Sequence, residues 1–297
     1  MKRYEKFVFE SETGITYERF VLEPENGVVF EVLETTKGNL TIRAFVNYAN
    51  PPIPEGYKHI GGEWNNGFVI KRESDESQFV WIPVGSIHSN GTLDGEHFSE
   101  KFGRRPFNKG FFHLYNEVLN DELLEQIESV NKYGGFYISR FNISKSSAGK
   151  PQSVAFVMPW VDINFYDAKK IASTIEDNET VKSHLTFGAE YDSVLEWFIT
   201  SGVKTFDEIA KDSTEWGNYY HSLYCPRKVK ITAVSYNCCA NNIYDLAGNL
   251  GEWTQEQYAD DEKRVIRGYY SYVAFRQKED CDHHDHHTGF RAALCIK

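Results

Sequence analysis

The stretch Asn241 to Thr254, NNIYDLAGNLGEWT, constrains this chain more than any other. Its centre, Asp245-Leu246-Ala247-Gly248-Asn249, carries residues that accept backbone conformations others avoid, so it reads as a tight loop. Glu252-Trp253 then sets a carboxylate beside a large aromatic. Two readings stand side by side. Asn249, the carbonyl of Leu250 and Glu252 offer hard oxygen atoms on one bent loop, a donor set that suits Ca²⁺. Alternatively the loop is a buried turn, with Trp253 filling a core and Glu252 paired to a backbone amide.

The chain has 297 residues, enough for one large domain or two ordinary ones. Hydrophobic residues at 41% and aromatics at 15% describe a globular protein. A net charge of −11 argues against nucleic acid as a partner, because phosphate binding wants a basic face. No stretch reaches the ~18 apolar residues of a membrane span, and MKRYEKFVFESETG lacks the apolar run of a signal peptide. The default expectation is a soluble, cytoplasmic protein, with a virion location or a non-classical export route as alternatives. Cys225, Cys238, Cys239, Cys281 and Cys295 fit no zinc spacing and read as free thiols in a reducing compartment.

Residues 1–50 read as a small antiparallel β unit. Strands are expected at Tyr4 to Phe9, Thr16 to Leu22, Gly27 to Leu33 and Asn39 to Asn47, with Asn26-Gly27 suited to a type I′ turn. Nothing in this unit has catalytic character, which leaves docking: a homo-oligomer or assembly onto a larger particle. The prolines of Asn50-Pro51-Pro52-Ile53-Pro54 mark a linker, so residues 51–78 are expected to form a linker and a leading hairpin, and 79–297 the main domain. His88 to Gly110 is polar and Gly-rich, a surface loop in which Arg104-Arg105 forms a solvated face. Leu114 to Val130 has apolar residues at helical spacing. Asp162 or Asn164 is placed to cap a helix carrying Phe165, Ala168, Ile171 and Ala172. A further helix runs through Val194, Leu195, Trp197 and Phe198 to Ser201-Gly202.

Several of these segments together resemble the sulfatase-modifying-factor (formylglycine-generating enzyme) family. Asn241 to Trp253 is similar to that family's N-x-G-L-Y-D-M-A-G-N-V-W-E-W, with Asn242 in place of Gly and Gly251 in place of the first Trp. Phe79 to Gly85, Gly135 to Phe141, Pro159 to Ser173, Leu185 to Asp192, Glu215 to Asn218, Arg264 to Ser271 and Gly289-Phe290-Arg291 resemble its other motifs in the same order. The resemblance implies an α+β, loop-rich, C-type-lectin-like domain, often with bound Ca²⁺. It also implies that Arg291 anchors a buried polar network, since a buried guanidinium must be paired.

Family members that make formylglycine carry two cysteines after the R-G-G-S stretch and hold Cu(I), a soft ion that wants thiolates. Here those places fall near Val273 and Lys278, so no copper is expected. A second branch binds iron through a histidine motif that this chain lacks, although His283, His284, His286 and His287 form a tempting run. The favoured expectation is therefore a non-catalytic ligand-binding or display protein on this scaffold. The alternative is a metal-dependent oxidase lacking the usual cysteine pair. The segment between Arg267 and Gly289 is rich in Tyr, His, Asp and Ser, the mixture of stiff aromatic and adaptable polar contacts that binding surfaces use. Tyr, His, Asp, Ser and Asn also have codons one base apart, as a diversified patch would. The segment is similar to the hypervariable face of some phage and bacterial proteins of this fold. Tyr269, Tyr270, Tyr272, Phe275, Arg276, His283, His284, Asp285 and His286 are the expected face, for a protein or glycan ligand. An ordinary variable surface loop is the other reading of the same residues.

Overall fold

A computed structural model describes the backbone at residues 4–10, 16–22, 28–29, 35–36, 39–40 and 47–48. It describes residues 51–64, 66–84, 102–107, 113–219, 229–259 and 262–297 in full, and the backbone at residue 112. The chain divides into Met1–Pro51 and Pro52–Lys297. In the first unit, strands Tyr4–Glu10 and Thr16–Leu22 pair antiparallel along their whole length. Of the expected third and fourth strands, the described residues show Val28–Val29 paired with Asn47–Tyr48, and Thr35–Thr36 with Asn39–Leu40. The expected Asn26-Gly27 turn lies outside the described residues.

The second unit is built on a six-stranded antiparallel sheet. Its order is Val181–Leu185, Ala292–Ile296, Gly135–Ser139, Gln78–Pro83, Val69–Arg72, Tyr57–Gly61. Within residues 51–78, Tyr57–Gly61 and Val69–Arg72 form a leading hairpin, and it supplies two strands of this sheet. Side chains alternate across the sheet, as strand geometry requires. Val80, Ile82, Phe136 and Ile138 enter one hydrophobic core, while Phe79, Trp81 and Tyr137 enter the other.

Helices cover both faces. Helix α1, Asp121–Tyr133, begins where Asn120 accepts from the Leu123 N–H and ends at Gly134, whose φ of 78° a side chain would resist. The helical pattern from Leu114 is not followed at its start. Tyr115–Asn116 pairs instead with Tyr258 and Gln257, and Asn120 sets the true boundary. Helix α2, Phe165–Ala172, is capped by Asn164, which accepts from the Asp167 N–H at 2.9 Å. Asp162 has a φ of 55° and stays outside the helix. Helix α3, Gly188–Thr200, is buried along most of its length. Its Glu190 side chain accepts from the Phe187 N–H, Gln126 and His184, a wholly structural role. Helix α4, Phe206–Ala210, follows.

A second sheet places Gly251–Tyr258 between Tyr115–Asn116 and Arg264–Arg267, with Arg276–Glu279 beyond, and Thr288–Phe290 runs parallel to Gly251–Tyr258. Among the described part of the expected His88 to Gly110 surface loop, Phe102 and Arg104 are fully buried. Arg104 is no solvated face, because it pairs with a carboxylate inside the protein, as shown below. No helix among the described residues is long and apolar enough to cross a membrane.

Candidate ligand-binding face

Residues 268–275 connect two paired strands, and the connection is fixed at both ends. Arg267 and Arg276 stand directly opposite each other in register. Two like charges so placed repel, and both are buried. The repulsion is answered by two acids. Arg267 donates through Nη2 to Asp192 Oδ1 at 2.7 Å and through Nη1 to Glu256 Oε2 at 3.3 Å. Arg276 donates through Nε to Glu256 Oε1 at 2.7 Å and through Nη2 to Asp192 Oδ2. Arg104 adds a third guanidinium on Glu256 Oε1 at 3.0 Å. Burial alone would raise the Glu256 carboxyl, but Arg276, Arg104 and Arg267 outweigh it and hold the group down at about 2.

Glu117 approaches the same place and accepts from the Ala189 N–H at 2.6 Å. Burial, then the charge of Glu256, pushes its carboxyl up to about 8. Gly188 lets α3 come this close, since a Cβ there would lie 2.7 Å from Glu117 Oε1 and 2.8 Å from Glu256 Oε2. Arg276, expected on the exposed face, is therefore an internal anchor of that face. The sequence hides this because its partners are distant: Asp192 lies 84 positions away.

The aromatic residues between the two arginines form a connected platform. Tyr269 and Tyr270 are 43% and 45% exposed and meet edge to face at 5.6 Å. Tyr270 packs on Phe275 at 4.5 Å, and Phe275 on Tyr272 at 5.2 Å. Tyr272 and Phe275 are half-buried, while Val273, at one copper-thiolate place of the resemblance, is fully buried. Tyr269 also faces His287 at 6.3 Å, which links the platform to the histidine-rich loop.

In that loop His283 lies 3.5 Å from Asp285, and His286 Nδ1 lies 2.6 Å from Asp162 Oδ2. His284 is exposed. Asp285 bonds the Thr288 hydroxyl and the His287 N–H. These bonds outweigh its desolvation and keep its carboxyl below the usual range. His287 and Asp162 are members of this surface that the sequence reading did not select. The run of histidines pointed to the first. For Asp162 the turn preceding Asn164 was the signal. Among the described residues no group of three or more His, Cys, Asp or Glu side chains is arranged to hold a metal ion.

The Asn241 to Thr254 stretch lies mostly inside. Trp253 is fully buried and donates from Nε1 to the Ile163 carbonyl at 2.9 Å. Glu252 Oε1 accepts from Arg291 Nε at 2.8 Å and from Asn142 Nδ2 at 2.6 Å. Arg291 also donates to the carbonyls of Ser139, Arg140 and Tyr244. Burial pushes the Glu252 carboxyl up to about 7 against the pull of Arg291 and Asn142, and burial likewise raises Asp245. Asn249 does not suit a calcium role. Its amide accepts from the Lys230 N–H at 2.8 Å and donates to the Lys230 carbonyl at 3.2 Å. The Leu250 carbonyl is turned toward Gly268. Asp245 Oδ1, Glu252 Oε2 and Asn142 Oδ1 are among the buried oxygens without a hydrogen-bond partner, and they are hard donors of the kind calcium takes.

A family model for the sulfatase-modifying factor enzyme 1-like domain matches residues 67–296. The chain belongs to this family. Its fold is the family's loop-rich α+β, C-type-lectin-like architecture. No curated protein sequence matches it significantly. Similar solved structures include Treponema denticola variable protein 1, at 12% identity over 73% of this chain and 95% of that one, with a TM-score of 0.41. CarF shows 13% identity over 74% and 99%, with a TM-score of 0.43. PvdO from Pseudomonas aeruginosa shows 15% identity over 76% and 97%, with a TM-score of 0.45. At these identities and scores the likenesses carry no functional information.

Proposed function

We propose that this family member is a non-catalytic binding protein that displays Tyr269, Tyr270, Tyr272 and Phe275 to a ligand. One observation carries the reading: an exposed aromatic pair sits on a connection whose two ends are held by buried arginines. A rigid aromatic surface binds at low conformational cost, because little side-chain freedom remains to be lost. His283, His284, Asp285 and His286 border that surface and add polar contacts. Alanine at Tyr270 or Tyr272 should weaken capture of ligands on a protein or glycan array and leave the melting temperature nearly unchanged. A large fall in melting temperature would make those rings core and overturn the reading.

Calcium belongs to the same proposal as a structural ion. Asp245 and Glu252 would hold it, with the Asn142 amide oxygen, and its charge would steady the loop beneath the platform. Plasma mass spectrometry of tag-free protein should find about one Ca²⁺ per chain, lost on Asp245→Ala substitution. Retained copper or iron in place of calcium would favour the oxidase alternative. The Met1–Pro51 unit serves assembly in this proposal, either of the chain with itself or onto a larger particle such as a phage.

A further inference from the structure

We infer that the tyrosine platform recognises a cationic segment of a partner protein, with Arg or Lys side chains stacked on Tyr269 and Tyr270 and bridged to Asp285 and Asp162. The inference rests on the display reading above and names its partner. Exposed tyrosine faces attract cations electrostatically. Asp285 is close enough to the platform that its charge bears on the Tyr269 hydroxyl. His287 packs on Tyr269 and is held by Asp285 through its N–H. Asp162 follows, joined through the backbone bond from its N–H to the Asp285 carbonyl at 2.9 Å. A line of aromatic and then anionic groups results, and both acids are partly open to solvent.

Among the described residues, the protein's own cations are engaged elsewhere. Arg267 and Arg276 are turned inward onto Asp192 and Glu256. Arg264 lies over the Phe165 ring at 5.0 Å, Lys278 over the Tyr258 ring at 4.1 Å, and Lys263 lies 3.2 Å from Asp280. Among the described residues, the side chains of Asp162 and Asp285 meet imidazoles, the Thr288 hydroxyl and a backbone N–H, but neither a lysine nor an arginine. An anionic ligand would meet these carboxylates on a chain of net charge −11. A guanidinium suits the place better than other groups, since it stacks on a ring and forks onto a carboxylate at once.

The test is fluorescence anisotropy of a labelled Arg-Gly repeat peptide against the full chain and three double variants. These are Y269A/Y270A, D162N/D285N and, as a charge-matched control on helix α1, E125Q/E128Q. Each variant's melting curve is taken alongside. The first two should weaken binding about tenfold and the control should change it less than about twofold. Equal losses in D162N/D285N and in the control would mean simple attraction to net charge and overturn the inference. If a neutral or anionic array ligand, and not the peptide, depends on Tyr269 and Tyr270, the display reading stands and the cationic specificity falls. If no probe depends on the two tyrosines, both fall.

Discussion

Glu256→Gln is the perturbation that the structure addresses most directly. The substitution keeps the side chain's shape and removes its charge. Arg267 and Arg276 would then keep their ion pairs with Asp192, while Arg104 would lose its ion pair with Glu256. Removing one member of a buried ionic group typically costs about 3–5 kcal/mol, because the others stay buried without compensation. A second route gives a similar size. The carboxyl is held at about 2 against its ordinary 4.5, and each tenfold in proton affinity is about 1.4 kcal/mol. The ionised form therefore contributes roughly 3 kcal/mol at neutral pH. For a domain of this size that corresponds to a melting temperature lower by roughly 6–12 °C. Urea unfolding followed by tryptophan fluorescence is the assay, with the slope checked for constancy. Asp280→Asn is the reference, because its pair with Lys263 is exposed and worth below about 1 kcal/mol. Equal destabilisation by the two substitutions, at unchanged slope, would refute the view that this cluster carries the base of the face.

Stability should also fall on both sides of mildly acidic pH. Glu256 is depressed, so its contribution is complete above about 4.5 and is lost as pH falls toward about 2. Glu117 is raised, so it opposes folding progressively as pH rises from about 4.5 toward about 8. Urea midpoints across pH should show both limbs, and Glu117→Gln should flatten the alkaline one; an unchanged alkaline limb would count against its burial as an acid. Gly188→Ala should destabilise by about 1–3 kcal/mol, since the new methyl meets two carboxylates, and thermal melts would show it. Asn120→Ala should cost about 1 kcal/mol through loss of the cap of α1, against less than about 0.5 kcal/mol for Glu128→Ala at an exposed position of the same helix.

Much of the fold could be read from local signals. The Asn164 cap, the strand at Gly135–Ser139 and the turn around Gly248 each depend on a few neighbouring residues. Arg291 was legible through the resemblance of Gly289-Phe290-Arg291 to a family motif, since a buried guanidinium must be paired, and Glu252 is its carboxylate partner. Arg104 and Arg276 were not legible. In sequence they look like surface charges, and only the approach of α3 to the Gly251–Tyr258 strand turns them inward. Within the Asn241 to Thr254 loop the surroundings of Asn249 were not legible. Its amide matches the backbone of Lys230, a residue whose proximity no local pattern reveals. The Leu114 start of the first helix failed for a similar reason, since pairing with Tyr258 outweighed the apolar spacing.

The opposed arginines also set an order on folding. Strands Arg264–Arg267 and Arg276–Glu279 are neighbours in the chain, and such hairpins ordinarily close early because little loop entropy is lost. This one carries Arg267 across from Arg276, so closing it alone brings two cations together in a drying environment. Relief comes from Glu256 on the preceding strand and from Asp192 on a helix much earlier in the chain. The locally easy step thus waits on the distant one, and the tyrosine-bearing connection becomes ordered only once α3 has docked. Pulsed hydrogen exchange during refolding should accordingly protect the strands beside this connection after α3 is protected.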